Sequence, residues 1–166
     1  SLTSTSPSLT SPRGLSARAL ARMHDRTSTL FGAGLSLTAG PASLGLSAAT
    51  TRIAHPLGTL TPYLVAAHGN VTLACAGATC VALDGELGRI AVHATAADPM
   101  EVSARSLAAT YAHAAVELSL AGRIAGVDVA AIAALGTSRG VVARVDTEAA
   151  AVLAGWTLGA ALEVRR

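Results

Sequence analysis

The side chains that could do chemistry in this 166-residue chain are five histidines, two cysteines, scattered serines and twelve basic residues, every one of them arginine. His24, His55, His68, His93 and His113 share no ligand spacing such as H-x-x-x-H, so the sequence predicts no metal centre. Cys75 and Cys80 lie on an apolar segment with strand character. A regular strand would point them to opposite faces, so no disulfide is expected between them, and two thiols alone do not make a metal site. A reducing cytoplasm fits that pair. Ser106 or Ser138 as a nucleophile has no identifiable His and acid partners, so no catalytic residue is assigned and the chain is read as not an enzyme. Gly32-Ala33-Gly34 lies between a predicted helix and a predicted strand, the reverse of the order that cradles phosphate. Arg139, Arg144, Arg165 and Arg166 could touch RNA phosphates.

Composition sets the elements that must position these groups. The chain is 51% hydrophobic but only 2% aromatic, so Ala, Leu and Val must supply the core, and modest stability is expected. A net charge of +2 is too balanced to argue for nucleic acid from global charge. Residues 27–51 and 53–83 lack Asp, Glu and Arg, but Gly, Pro, Ser, Thr or His interrupts both. Neither is an apolar run long enough for a spanning helix, so no membrane contact is expected.

Residues 1–13 are rich in Ser, Thr, Pro and Leu and are read as a disordered N-terminal segment; a transit peptide is a second reading of the acid-free start. Residues 15–31 are predicted helical, with Leu15, Ala19, Leu20 and Met23 on one side and Arg18, Arg22 and Arg26 on another. Leu35-Ser36-Leu37-Thr38 and Ser43-Leu44-Gly45-Leu46-Ser47-Ala48 alternate around Gly40-Pro41, a hairpin signal. A strand from Val71, a turn at Asp84-Gly85-Glu86 and a strand through Ala94 follow. A long helix then runs to Ala125, capped by Asp98 with Pro99 and Glu101 in its first turn and stopped by Gly126. Leu107, Tyr111, Ala114 or Ala115, Leu118 and Ala121 give its helical spacing. Residues 126–166 are Ala-rich and predicted mostly helical, with Trp156 closing a small helical core or a dimer seam.

Asp84-Gly85-Glu86-Leu87-Gly88-Arg89, then Asp98-Pro99, then Tyr111-Ala112-His113-Ala114-Ala115-Val116-Glu117-Leu118, resemble the end of a GAF domain, where a "D-G-x-L-G" turn precedes a helix with "A-x-H-A-A-x-A-L". The hairpin around Gly40-Pro41 resembles that family's first two strands, with Leu30-Phe31-Gly32-Ala33-Gly34-Leu35-Ser36-Leu37 in place of its "L-x-G-A-x-x-L-S-L-L", and residues 62–69 resemble the short helix that leads into its last hairpin. The actinobacterial GAF domains joined to an ANTAR RNA-binding module are closest in flavour. Residues 135–150 resemble an ANTAR start that lacks the family's third helix, and about ten residues stand in for the usual middle of the GAF domain. The resemblance covers residues 15–125 with that internal shortening. By analogy with haem- and bilin-carrying members, His93 or His113 would be a haem ligand and Cys80 a bilin attachment point. The bland reading of packing or surface residues is preferred for all three, so no cofactor is assigned.

Together these readings predict an α/β (α+β) chain, an antiparallel sheet with helices mainly on one face. Its parts are a disordered segment 1–13, a compact GAF-like domain 14–125 and an ANTAR-like helical tail 126–166. The resemblance implies a cytoplasmic, non-catalytic sensory or regulatory domain in signalling or transcription antitermination. It would bind a small ligand or a partner, form a homodimer through its helices and touch RNA weakly through Arg139 and Arg144. The alternative is a GAF-like dimerisation scaffold with no ligand pocket.

Overall fold

The computed structural model describes residues 14–25, 28–97, 106–145 and 148–166, with the side chains of 143–152 excepted. Every regular element among them is a strand. Eight long strands, β1 (Gly14–His24), β2 (Ser28–Ala39), β3 (Ala42–Thr50), β5 (Gly58–Ala76), β6 (Thr79–Ala96), β7 (Leu107–Ile124), β8 (Val127–Arg139) and β11 (Gly155–Arg165), form one antiparallel ring. Strand β11 pairs with β1 to join the two ends of the chain, and β3 pairs with β5. The short β4 (Ile53–His55) folds back on β5. A hairpin of β9 (Val142–Val145) and β10 (Glu148–Val152) stands between β8 and β11.

Closure removes both sheet edges, so every long strand finds backbone partners on both sides. The ring is staggered. Following paired residues from Ala74 through Val81, Leu118, Ala133, Ala160, Ala21, Phe31 and Thr50 returns to β5 at Tyr63, well along the strand from the starting point. The strands therefore tilt against the barrel axis.

The two ends differ. Gly40-Pro41, Gly77-Ala78 and Ala125-Gly126 make tight turns at one end, where Leu15 and Arg166 exchange backbone hydrogen bonds. Positive φ angles at Gly40 (62°), Gly77 (61°), Ala125 (50°) and Gly126 (83°) permit them. The longer connections, residues 51–57, 97–106 and 140–154, all leave the other end.

Side chains sort by period two. Phe31, Leu35 and Leu37 of β2 point out while Leu30 and Ser36 point in. Along β7, Val116, Leu118 and Leu120 point out while Tyr111, His113, Ala115 and Glu117 point in. An apolar cluster fills the loop half of the interior: Leu30, Ala49, Leu60, Leu64, Ala66, Ile90, Val92 and Tyr111, capped by Val141 and Leu153 from the β8–β11 connection. Leu153 N–H donates to the Val141 carbonyl at 2.8 Å, which holds that cap in the mouth.

These observations overturn the predicted α/β fold. Residues 15–31 form β1 and the start of β2, residues 62–69 lie inside β5, and the long helix predicted before Ala125 is β7. The expected helical tail supplies β8 and β11, which sit in the ring between β7 and β1. Asp84-Gly85-Glu86 is no turn but mid-strand in β6, with both acids inward and Gly85 outward. The hairpin around Gly40-Pro41 forms as expected, and Ala125-Gly126 does stop an element, a strand rather than a helix. Cys75 and Cys80 are disulfide-bonded, contrary to expectation, because the turn falls between them and makes them directly opposed partners. The proposed cap of Asp98, Pro99 and Glu101 and the disordered segment 1–13 lie outside the described residues.

Candidate functional site

The interior carries the chemistry. Strand β1 places Arg18 and Arg22 four residues apart on the inward row, and β6 places Asp84 and Glu86 opposite them. Arg22 grips Glu86 bidentately, Nη1 to Oε2 at 2.6 Å and Nη2 to Oε1 at 2.9 Å. Its Nη1 also donates to Tyr111 Oη at 3.1 Å, and His24 Nε2 lies 3.2 Å from that oxygen. Arg18 Nη1 donates to Glu117 Oε1 at 3.1 Å, and its Nη2 is 3.5 Å from Asp84 Oδ1 and 3.7 Å from Glu86 Oε1. Asn70 Nδ2 donates to the other Glu117 oxygen at 2.7 Å. His113 bridges the network to β11, with Nε2 3.0 Å from Thr157 Oγ1 and Nδ1 3.7 Å from Asp84 Oδ2. All these charged side chains are almost wholly buried. Buried charges persist only when paired, and here each guanidinium faces carboxylates.

Ligand atoms of Asp84, Glu86 and His113 lie within 4.8 Å of one another, the spacing of a metal site. Arg22 already takes both Glu86 oxygens and Arg18 approaches Asp84 Oδ1, while Asp84 Oδ2 faces His113 Nδ1 at 3.7 Å. A cation would compete with Arg22 for Glu86 and sit beside two guanidiniums, so the donor set fits an ion-pair network better than a metal.

Between this network and the tight-turn end lies a cavity of about 1230 Å³, with Arg18, His68, Asn70, Glu117, Glu163 and Arg165 among its lining residues. The interior is thus a polar vestibule open at the turn end, a charged layer at mid-height and an apolar plug at the loop end.

The outward row is the reverse. Across the eight long strands it holds Ala, Leu, Val, Ile, Phe, Met, Thr, Gly, Tyr and Trp, interrupted only by Arg89, His93 and Arg139. Leu37 is 67% exposed, Leu44 72% and Trp156 70%. A continuous apolar belt of this kind is the wrong surface for water and the right one for hydrocarbon.

The residues singled out from sequence scatter over this frame. His24, His68 and His113 point into the lumen, while His93 is on the outer wall and His55 on β4. Ser138 points inward on β8. Ser106 Oγ lies 3.2 Å from His93 Nδ1, a pairing the sequence had not suggested, but no acid joins them among the described residues. Arg139 ends β8 facing outward, and the side chain of Arg144 is outside the described set. The helices that were to present both to RNA are strands. Trp156 closes no core, and the stripes expected to make a dimer seam divide between two faces: Leu15, Ala19, Met23 and Leu118 face outward, while Leu20, Tyr111, Ala115 and Ala121 lie on the inward row. Sequence reading missed Arg18, Arg22, Asp84, Glu86 and Glu117 as a site. Their signal was an arginine pair four apart and an acid pair two apart, each inside an apolar segment.

No protein-family model and no curated protein sequence matches the chain. Solved structures do match. The N-terminal β-barrel domain of Pseudomonas aeruginosa OprF superposes with a TM-score of 0.64 at 14% identity, covering 92% of this chain and 97% of that one. Neisserial surface protein A gives 0.54 at 11% identity over 92% and 94%. Ail, the attachment invasion locus protein of Yersinia pestis, in complex with the heparin analogue sucrose octasulfate, gives 0.53 at 14% over 93% and 97%. The fold is that of outer-membrane β-barrels. The GAF–ANTAR resemblance is therefore incorrect: that family needs helices, and the described residues contain none. With it fall the cytoplasmic location, the sensory, signalling and antitermination role, and the exclusion of membrane contact. Among the described residues no helix is long and apolar enough to cross a membrane, which is silent about crossing with strands.

Proposed function

We propose that this chain is an integral outer-membrane barrel with a closed lumen, a non-catalytic anchor that displays its loop end. The observation that carries this reading is the inversion of the wall, with buried arginines and acids inside and an apolar belt outside. The strands have the reach. The shortest of the eight, β3, has nine residues, and a tilted spanning strand needs about 9–11. Barrels of this kind turn tightly on the periplasmic side and carry longer loops outside, which puts Gly40-Pro41, Gly77-Ala78 and Ala125-Gly126 in the periplasm. A disulfide beside the Gly77-Ala78 turn suits that oxidising compartment. The apolar plug and the ion pairs beneath it argue against free solute flow.

The test is refolding into phosphatidylcholine vesicles. The expected product resists external protease over its strands, migrates differently with and without boiling, and leaves the vesicles impermeable to small sugars. A folded chain that stays in water without lipid or detergent would refute membrane insertion, and rapid sugar efflux would refute the closed lumen.

A further inference from the structure

Six arginines with described side chains lie in the long strands, and they divide by face. The four on the inward row each pair with an acid: Arg18 and Arg22 with the lumenal carboxylates, Arg123 with Asp128 at 2.8 Å, and Arg165 with Glu163 at 2.5 Å. The two on the outward row, Arg89 and Arg139, pair with none among the described residues, and no acid stands on the outward row of the long strands. An unpaired guanidinium against hydrocarbon is costly, and arginines survive there only where a counter-charge or water is in reach.

Their position supplies one. Arg89 pairs in register with Val65 and Thr110, and Arg139 with Ala112, so they sit on β6 and β8 with only β7 between them. Both are near the loop end. The only Phe, the only Trp and one of the two Tyr of the chain face outward in the same zone. Phe31, Thr50 and Tyr63 share one row of paired residues, and Trp156 is the second residue of β11. Tyr63 packs edge-on against His93, their ring centroids 6.1 Å apart. Outward aromatics mark the boundary between hydrocarbon and headgroup. Toward the tight-turn end the outward row carries only aliphatic, Gly and Thr side chains.

We propose that Arg89 and Arg139 form a clamp across β7 for the phosphate of a lipid headgroup in the leaflet around the loop end. Thr110 stands on the outward row beside Arg89 as a hydroxyl donor, while the Thr137 hydroxyl beside Arg139 donates to the Gly155 carbonyl at 3.3 Å. Two unpaired guanidiniums on the outward faces of β6 and β8 suit a phosphate oxygen set better than a carboxylate-free surface suits any protein partner. The clamp binds lipid on one leaflet only, so it also fixes which end of the barrel faces out.

The inference rests on the membrane-spanning reading, and the test separates the two. Wild type, R89Q/R139Q, R89K/R139K and the loop control R52Q are refolded into phosphatidylcholine vesicles containing either lipid A or phosphatidylglycerol. Retained lipids are then counted by native mass spectrometry, with inorganic phosphate in zwitterionic micelles as the free-ion arm. Wild type should retain phosphorylated lipid several-fold over phosphatidylcholine. R89Q/R139Q should lose most of that preference while keeping its folded gel mobility, R89K/R139K should retain part of it, and R52Q should behave as wild type. Equal retention by wild type and R89Q/R139Q, with both inserted, overturns the clamp alone. Binding of free phosphate as tight as lipid overturns the lipid as its occupant. Failure of the wild type to insert in any vesicle overturns the membrane reading beneath it.

Discussion

The inner and outer surfaces of this barrel are built from the same eight strands, one residue apart, and they obey opposite rules. On β6, Asp84 and Glu86 face in while Leu83 and Leu87 face out. On β7, Glu117 faces in between the outward Val116 and Leu118. A water-soluble sheet protein would reverse the assignment. What decides it is where hydrogen-bond partners are available. Inside, a guanidinium on β1 can meet carboxylates on β6 and β7 across the lumen. Outside, no second layer covers the apolar row among the described residues, and on the membrane-spanning reading its surroundings are hydrocarbon.

The sharpest way to break the inner half of that contrast is to remove one partner of its central pair. Arg22→Ala strips two hydrogen bonds from Glu86 and one from Tyr111. It leaves the buried Glu86 with only the more distant Arg18 at 3.7 Å, and removing one partner of a buried pair costs about 3–5 kcal/mol. Urea unfolding in vesicles should show a markedly lower midpoint. Arg22→Met combined with Glu86→Leu should recover most of the loss, since an apolar pair of similar volume needs no counter-charge. If the single variant unfolds like wild type, the network contributes nothing.

The outer half is tested by putting a charge where none is tolerated. Leu135, outward and 58% exposed, lies in the inner part of the outward row of β8, two outward steps from Arg139 at the loop end. Leu135→Arg should destabilise by about 2–4 kcal/mol, and Thr137→Arg, one outward step nearer the loop end, by less. The same unfolding assay reads both. Equal costs at the two positions would mean that the wall has no depth dependence and thus no bilayer around it.

A smaller effect is expected at the disulfide. Cys75 and Cys80 enclose only the tip of the β5–β6 hairpin. A short closed loop removes little unfolded-state entropy, so Cys75→Ser should cost about 2 kcal/mol or less. Thiol labelling of secreted wild-type protein should find Cys75 and Cys80 blocked. Free thiols there would argue that the turn end never meets an oxidising compartment.

Much of this was written in the sequence in a form that alanine obscures. Val116-Glu117-Leu118-Ser119-Leu120 alternates plainly and is a strand in the structure. In Tyr111-Ala112-His113-Ala114-Ala115, however, Ala is apolar on either face, so period two and the helical i, i+4 spacing of Leu107, Tyr111 and Ala115 both fit. Asp84-Gly85 has the composition of a hairpin turn, yet here tertiary pairing with Arg18 and Arg22 holds it in mid-strand. The rule for spanning segments looks for unbroken apolar runs, which a strand with a polar lumenal face does not have. The site was illegible for a related reason. Arg18 and Arg22 on β1 are far in sequence from Asp84, Glu86 and Glu117 on β6 and β7, and only closure of the ring brings them face to face.

The last prediction uses the same chemistry in a different medium. Arg123 and Asp128 form a two-pronged contact, Nε to Oδ1 at 2.8 Å and Nη2 to Oδ2 at 3.4 Å, much like that of Arg22 with Glu86. It stands at the mouth of the vestibule beside the Ala125-Gly126 turn, with side chains 68% and 56% exposed. Water solvates both ions there in either state, and salt screens what attraction remains. Asp128→Asn should therefore shift stability by no more than about 1 kcal/mol, with even that difference shrinking as salt is raised, whereas the Arg22→Ala effect should persist at high salt. Unfolding midpoints of both variants across a salt series give the comparison directly. If Asp128→Asn proves as costly as Arg22→Ala, burial in the lumen is not what distinguishes the two pairs, and the account of the barrel as dry at mid-height and wet at the turn end is wrong.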